Sequence, residues 1–392
     1  MPTLNIFQPS LDDAEADAVR EVMRSNWIGR GKLCLDFESR FAEHIGVGAD
    51  KVLSITSCTE GLFLAMDLLG VDEGDLVIMP SISFIAAANA VVDRGARPLF
   101  CDVDKRTLNV RLDDIIDCIS SYPYVRKSRF KAVVLLHYGG APCDDIEEIA
   151  AYCDEKGMAL IEDSACSVSS SVRGVACGTF GRFGMWSFDA MKILSTGDGG
   201  MFYSSMPNDR YRAEKRGFLG LSKASGMSSD PNTPWWEFDI DVPGRRFLMN
   251  DLTAAIGIQQ LAKLPSFIDR RRQVHELYMD MLDGIDGLLL PPKLLYPYAS
   301  SHYMYWVQLE DKQTRDDLAV FLRTKDIYTT FRYYPLHWVR YYADRYPSPR
   351  LPNAEDAANT TLCIPIHQSM TDDQVGYVCD SIRQFMADRR KT

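Results

Sequence analysis

Residues 52–55 read VLSI and are followed by TEGLFLAMDLLG at 59–70; LVIMP at 76–80 is followed in turn by FIAAANAVVDRG at 84–95. A short continuous apolar run and then a longer stretch of helical character reads as a buried strand feeding a helix. The alternation continues outward through PLFCDVD at 98–104, AVVLLHYG at 132–139 with DDIEEIAAYCDEKG at 144–157, and MALIED at 158–163. The pattern predicts an α/β fold: a mostly parallel sheet with helices on both faces. In such a sheet ligands gather at the carboxyl ends of the strands.

Upstream, Ser10 and LDDAEADAVREVMR at 11–24 predict an N-cap and an amphipathic helix, with Leu11, Ala14, Ala18 and Val22 on one side, forming an N-terminal arm. Downstream, MWSFD at 185–189 predicts a strand, followed by Met191 and Lys192, a tight turn over STGDGG at 195–200, and a further strand, MFYS, at 201–204. The text turns irregular over 220–245, with paired Trp235 and Trp236, and predicts a loop. A helix is expected from Asn250 (NDLTAAIGIQQLAKL) and a second, charged one after Pro265 (FIDRRRQVHELYMDMLDGI). Beyond them, YMYWVQL at 303–309, a helix over DDLAVFLRTKDI and a strand over YTTFRYY at 328–334 form a smaller α+β unit. The domains expected are 1–260, the arm with the large α/β domain, and 261–392, the small C-terminal domain.

The 392 residues are 46% hydrophobic and 25% charged, a globular balance. Lys and Arg number 43 against 54 Asp and Glu, giving a net charge of −11. That excess argues against bulk affinity for nucleic acid or an anionic membrane, so an anionic ligand needs a local site. The ten cysteines are widely spaced and read as reduced thiols. The six histidines show no ligand spacing, and no metal site is expected. With no basic-then-apolar leader and no apolar run long enough to span a bilayer, the expected location is the cytoplasm.

Lys192, between a strand and a glycine-rich turn, is a candidate Schiff-base amine, although most lysines are solvated surface charges. Asp163 ends an apolar strand, where a carboxylate either faces a protonated ring nitrogen of a ligand or caps a turn. Ser57-Cys58-Thr59 opens a helix after a strand and offers backbone N–H groups and the Thr59 hydroxyl to a phosphate, or is an ordinary cap. Ser187 adds a hydroxyl near the same place. Phe84 either stacks on an aromatic ligand or packs in the core. Arg245 and Arg246 are an anion clamp or solvated charge.

Taken in order, Asp163, Ser187, Lys192 and the Gly-Asp-Gly-Gly turn resemble the fold-type-I enzymes of pyridoxal phosphate, and more narrowly the DegT/StrS-type sugar aminotransferases. The resemblance runs nearly end to end, through SCTEGLFLAM, MPSISFIAAANAVVDRGARPLFCDVD, LIEDSAC, GTFGRFGMWSFDAMKILSTGDGGM, MNDLTAAIGIQQL, TTFRYYPLH and LPNAEDAANTTLCIPIH. It implies a large domain whose mostly parallel seven-stranded sheet is sandwiched by helices, plus a smaller C-terminal α+β domain. It further implies pyridoxal 5′-phosphate as cofactor and a homodimer with shared active sites. Lys192 would carry the cofactor and shuttle the proton, with Asp163 at the pyridine nitrogen. Cys58, Thr59 and Ser187 would hold the phosphate, and Phe84 would stack on the ring. Arg246, two residues after Gly244, would reach the phosphate of the partner subunit's site.

Three departures stand out. Cys166 occupies a position that is commonly glutamine in the family, which puts the contact to the cofactor's 3′-oxygen in doubt. Arg246 stands for asparagine or lysine, and Arg332 for the histidine of the HYxPLH block, while His337 is retained; Arg332 and His337 are the candidate substrate-binding residues. The implied reaction moves an amino group from an amino acid, glutamate in the family, to a keto-sugar, often nucleotide-linked, in amino-sugar biosynthesis. Lys192, where one relative that dehydrates its substrate has histidine, favours amino transfer. The alternatives are the same chemistry on a free or phosphorylated sugar or a keto-cyclitol, and a non-catalytic binding or regulatory protein on the same fold.

Overall fold

The computed structural model describes residues 3–221 and 236–390, so Trp235 and most of the loop expected over 220–245 lie outside the described residues. The expected run of strands and helices is present. The strands β1 (Val52–Ile55), β2 (Leu76–Pro80), β3 (Arg97–Cys101), β4 (Phe130–Leu136) and β5 (Ala159–Asp163) come first. A small hairpin, β6 (Ser171–Val172) and β7 (Val175–Ala176), separates them from β8 (Phe183–Ser187) and β9 (Gly200–Ser204). Among the described residues the largest sheet has seven strands in the order β1-β9-β8-β5-β4-β2-β3. The four pairings from β8 across to β3 are parallel, and β9 alone runs against its neighbours.

Every residue of β1, β2 and β9 is buried, which is why these strands read as unbroken apolar runs. Alternate side chains enter different layers: Val77 and Met79 pack with the helices on one face, Leu76 and Ile78 with those on the other. The first face is covered by α2 (Lys32–His44), α3 (Cys58–Leu68) and α4 (Ile85–Asp93), the second by α5 (Leu112–Ser120) and α6 (Ile146–Lys156).

Three local expectations are corrected. The first helix, α1 (Asp13–Arg24), is capped by Asp12 and not by Ser10. The Asp12 carboxylate accepts from Ala14 N at 2.9 Å while Glu15 reaches back to Asp12 N at 2.9 Å, a reciprocal box that wins over a lone serine and leaves Leu11 exposed. After α7 (Pro207–Gly217), the two helices expected around Pro265 are one, α8 (Asp251–Leu282), running through the proline. Pro265 removes a single N–H, a cost of about 3 kcal/mol that burial of Ala254, Ile258 and Leu264 before it and Phe267, Val274, Tyr278 and Leu282 after it outweighs. The expected domain boundary at 260/261 thus falls inside a continuous helix, which passes from the large core at Phe267 to the small one at Val274.

The small core is built on an antiparallel sheet of β10 (Leu288–Leu289), β12 (Tyr305–Leu309) and β13 (Thr361–Ile364); β11 (Tyr298–Ala299) pairs with the hairpin of the large domain. The strand expected over YTTFRYY is the third correction, because Thr330 makes only an isolated bridge to Cys363. The Tyr138 hydroxyl, instead of a neighbouring strand, donates to the Arg332 carbonyl and draws this segment toward the large sheet.

Candidate active site

Since β1, β8 and β5 run in the same sense, their carboxyl ends share one edge, and antiparallel β9 begins there. Asp163 is the last residue of β5, Ser187 the last of β8, and Gly200, the first of β9, lies between Ser187 and Ile55. The segment after β8 folds back at once. Met191 N donates to Asp189 Oδ1 at 3.0 Å and Lys192 N to the Asp189 carbonyl at 2.8 Å. Gly197 then turns at φ +87°, a left-handed conformation that favours glycine. Lys192 is thereby fixed at the strand edge beside Asp163, and a cavity of 390 Å³ opens between them.

Lys192, Asp163, Ser187, Cys58, Thr59, Phe84 and Arg332 all line this cavity. Helix α3 points its N-terminus into it: Ser57 caps Glu60 N at 3.2 Å, and the earlier N–H groups, those of Cys58 and Thr59, have no intrahelical acceptor. Phe84 stands at the start of α4, 48% exposed, with its ring 5.8 Å from that of Tyr333. Arg332 closes the opposite wall against the ring of Phe7 at 4.8 Å. Cys166 sits just behind the wall, buried, its Sγ 3.7 Å from the Tyr333 hydroxyl.

The electrostatics follow from burial. Asp163 is 2% exposed, and desolvation pushes its carboxyl up. The Ala165 N–H at 3.1 Å, Lys192, His137 and the Cys58 thiol at 3.8 Å all favour its charged form. Burial alone would push Lys192 down, the direction expected of a Schiff-base amine; the oxygens and sulfurs of Tyr303, Cys166, Tyr333 and Asp163 reverse it, and the ammonium is held well above its ordinary value. Burial also pushes the Cys58 and Cys166 thiols up, so they stay neutral.

Besides Cys166, which lies behind the wall, two expected residues are not brought into the cavity. Arg246 is exposed, with its guanidinium 5.6 Å over the ring of Phe218. His337 is 2.6 Å from Ser81 Oγ through Nδ1 and 3.6 Å from Glu355 through Nε2, outside the cavity lining. Arg245 pairs with Glu60 at 3.3 Å. Phe7, Tyr303 and Tyr333, in contrast, were not singled out from the sequence. Tyr333 lies inside the FRYYPLH block and could have been found there, whereas Phe7 and Tyr303 are ordinary aromatics whose placement depends on both domains.

Among the described residues no group of three or more His, Cys, Asp or Glu side chains is placed to hold a metal ion, and no helix is long and apolar enough to cross a membrane.

The sequence profile of the DegT/DnrJ/EryC1/StrS aminotransferase family matches residues 9–383. The chain is 48% identical over 382 residues to the dTDP-4-dehydro-2,3,6-trideoxy-D-glucose 4-aminotransferase of Saccharopolyspora spinosa, covering 97% of this chain and 96% of that one. It is 30% identical to a GDP-perosamine synthase of Escherichia coli O157:H7, over 99% of this chain and 100% of the relative. Among solved structures, the aminotransferase TlmJ of Streptoalloteichus hindustanus superposes with a TM-score of 0.91 at 49% identity, covering 98% and 99% of the two chains. With the site's amine, carboxylate and helix terminus in one cavity, the chain belongs to the DegT/DnrJ/EryC1/StrS aminotransferase family and is an aminotransferase that works with pyridoxal 5′-phosphate.

Proposed function

We propose that this enzyme moves an amino group from an amino acid, glutamate, to the carbonyl of a nucleotide-linked keto-sugar in amino-sugar biosynthesis, acting in the cytoplasm as a homodimer with shared sites. The observation that carries the reading is the meeting of Lys192 and Asp163 in one cavity, at the N-terminus of α3. The relative at 48% identity, named for amination at carbon 4 of a dTDP-linked keto-sugar, supports the acceptor class.

The residues present fit pyridoxal phosphate. A Cβ at Gly200 would stand 2.7 Å from Cys58 N, so glycine here lets the turn and the helix terminus close into one anion cradle. When bound, the cofactor supplies a carbonyl that captures amines and a protonatable ring that accepts the electron pair left when Cα loses its proton. Lys192 would hold it covalently, and its Nζ, once displaced as the neutral amine, would take the Cα proton of the donor. Asp163, favouring a positive partner once charged, keeps the proton on the ring nitrogen. The N–H groups of Cys58 and Thr59, with the Thr59 and Ser187 hydroxyls, hold the phosphate. Phe84 would stack on the ring, and Cys166, with Tyr333, would be its further contacts.

Arg246 of the partner subunit completes the phosphate site, which accounts for its exposure in a single chain. Arg332 meets the substrate, and His337 supports that wall from behind through Ser81. The large and small units divide along α8.

The test is a panel of nucleotide-linked keto-sugars, free sugars and keto-cyclitols assayed for glutamate-dependent amination. The protein is expected to be yellow, with a visible band that shifts on adding glutamate, and borohydride should fix the cofactor to Lys192. A colourless protein that fixes no cofactor would refute the reading.

A further inference from the structure

The amine of Lys192 does not point into open space: Nζ lies over the ring of Tyr303, 4.7 Å from its centroid, within cation–π range. Tyr303 is fully buried and stacks on Phe7 with 4.7 Å between centroids and 7° between planes. Its hydroxyl has no hydrogen-bond partner among the described residues, so its oxygen does not anchor it. The backbone is anchored instead. Buried Arg271 donates through Nη1 to the carbonyls of His302 at 3.1 Å and Tyr303 at 3.3 Å. A ring held by its backbone, stacked on one neighbour and presenting its face to an amine is arranged to act through that face.

We propose that the ring face of Tyr303 is the seat of the Lys192 amine when it is free of cofactor and protonated, which makes Tyr303 a positioning residue that acts through Lys192. The proposal rests on the reading of Lys192 as the lysine that carries the cofactor. A lysine displaced by the donor has to wait clear of the reacting atoms yet within reach of them, and the ring provides a desolvated place to do so.

The titratable and charged groups around the amine and the ring are Asp163 at the end of β5, Cys58 at the start of α3, Cys166 just after β5, Arg332 and Tyr333 on the facing segment, and Arg271 of α8. Burial keeps the thiols and phenols neutral. With those groups neutral, the Asp163 carboxylate and the ring face of Tyr303, 4.7 Å from Nζ, are left to stabilise the cation. Removing the face should lower that affinity, because the charged form alone loses the contact.

The test uses the full-length chain freed of cofactor. Acetylation of Lys192 by a limiting reagent is followed across pH by peptide mass spectrometry in wild type, Tyr303→Phe and Tyr303→Leu. The leucine variant should titrate about one pH unit lower, a tenfold change worth about 1.4 kcal/mol, and the phenylalanine variant within about 0.3 of wild type, since it keeps the π face. Coincident curves for leucine and wild type, or an equal shift in phenylalanine, would overturn the proposal.

Should the leucine variant fail to fold, the wild type decides alone. The ε-methylene resonances of Lys192, assigned by their loss in Lys192→Ala, should lie upfield of the other lysines from the ring current, and their absence from that region counts against the proposal. Borohydride fixation keeps the two claims apart. Fixation without the titration shift sinks only the role of Tyr303, whereas no fixation sinks the reading of Lys192.

Discussion

Gly200→Ala tests whether the anion cradle depends on close backbone approach. A Cβ built at this position meets Cys58 N at 2.7 Å, the Ser57 carbonyl carbon at 2.8 Å and the Trp186 carbonyl oxygen at 2.8 Å. All three are backbone atoms, of α3, of its cap and of β8, so no flexible side chain can swing away. Restoring ordinary contact near 3.4 Å requires β9 to withdraw by about 0.6 Å from both neighbours at once.

Overpacking of this kind typically costs about 1–3 kcal/mol. Part of that cost appears as a lower melting temperature of the cofactor-free protein. The remainder appears as a wider gap between the Gly199-Gly200 turn and the N-terminus of α3, and a loss of about 1.4 kcal/mol there weakens cofactor binding tenfold. Titration of pyridoxal phosphate into stripped protein, read by absorbance and followed by thermal melts with and without cofactor, separates the two effects. A variant whose melting temperature and cofactor affinity both match wild type would refute the claim that the glycine is required by contact.

Arg246→Ala should leave the melting temperature of the cofactor-free chain unchanged, because the residue is exposed, yet weaken cofactor retention severalfold. Mixing it with Lys192→Ala should recover activity through hybrid dimers with one intact site, and hybrids no more active than their parents would remove Arg246 from the phosphate site. Acid stability gives a separate check. Burial lowers His275 to about 4 and His302 to about 3, so both fold as neutral imidazoles, with rings 4.7 Å apart. The unfolded chain binds their protons first; stability should therefore be full above about pH 6.5 and fall as the pH drops toward 4, by up to about 3 kcal/mol for His275. His275→Gln should flatten that fall in a melting series, and an unchanged slope would exclude this imidazole as its source.

The strand-end chemistry was legible because it is local. Asp163 and Ser187 end apolar runs, Lys192 precedes a glycine turn and Cys58-Thr59 opens a helix, so chain direction alone sends all of them to the carboxyl edge once the sheet is parallel. The misread elements are those decided by competition at a distance. Ser10 lost the cap of α1 to a carboxylate pair, and Pro265 was overruled by burial on both sides of it. YTTFRYY gave up its strand to a hydroxyl from the other domain.

Periodicity and residue type, acting over a few turns of chain, thus determined the α/β class and placed Lys192 and Asp163 among the candidates, and the family resemblance gave them their roles. What only the tertiary structure decided is the surroundings of that amine. Phe7 and Tyr303 are separated by hundreds of residues yet their rings stack 4.7 Å apart beside Lys192, and Tyr333 reaches Cys166 from another segment, because two cores close on one another. Pattern carries the direction of a side chain from its own backbone; contact between distant segments depends on how whole layers pack, and that is fixed by the sum of burial over the entire chain.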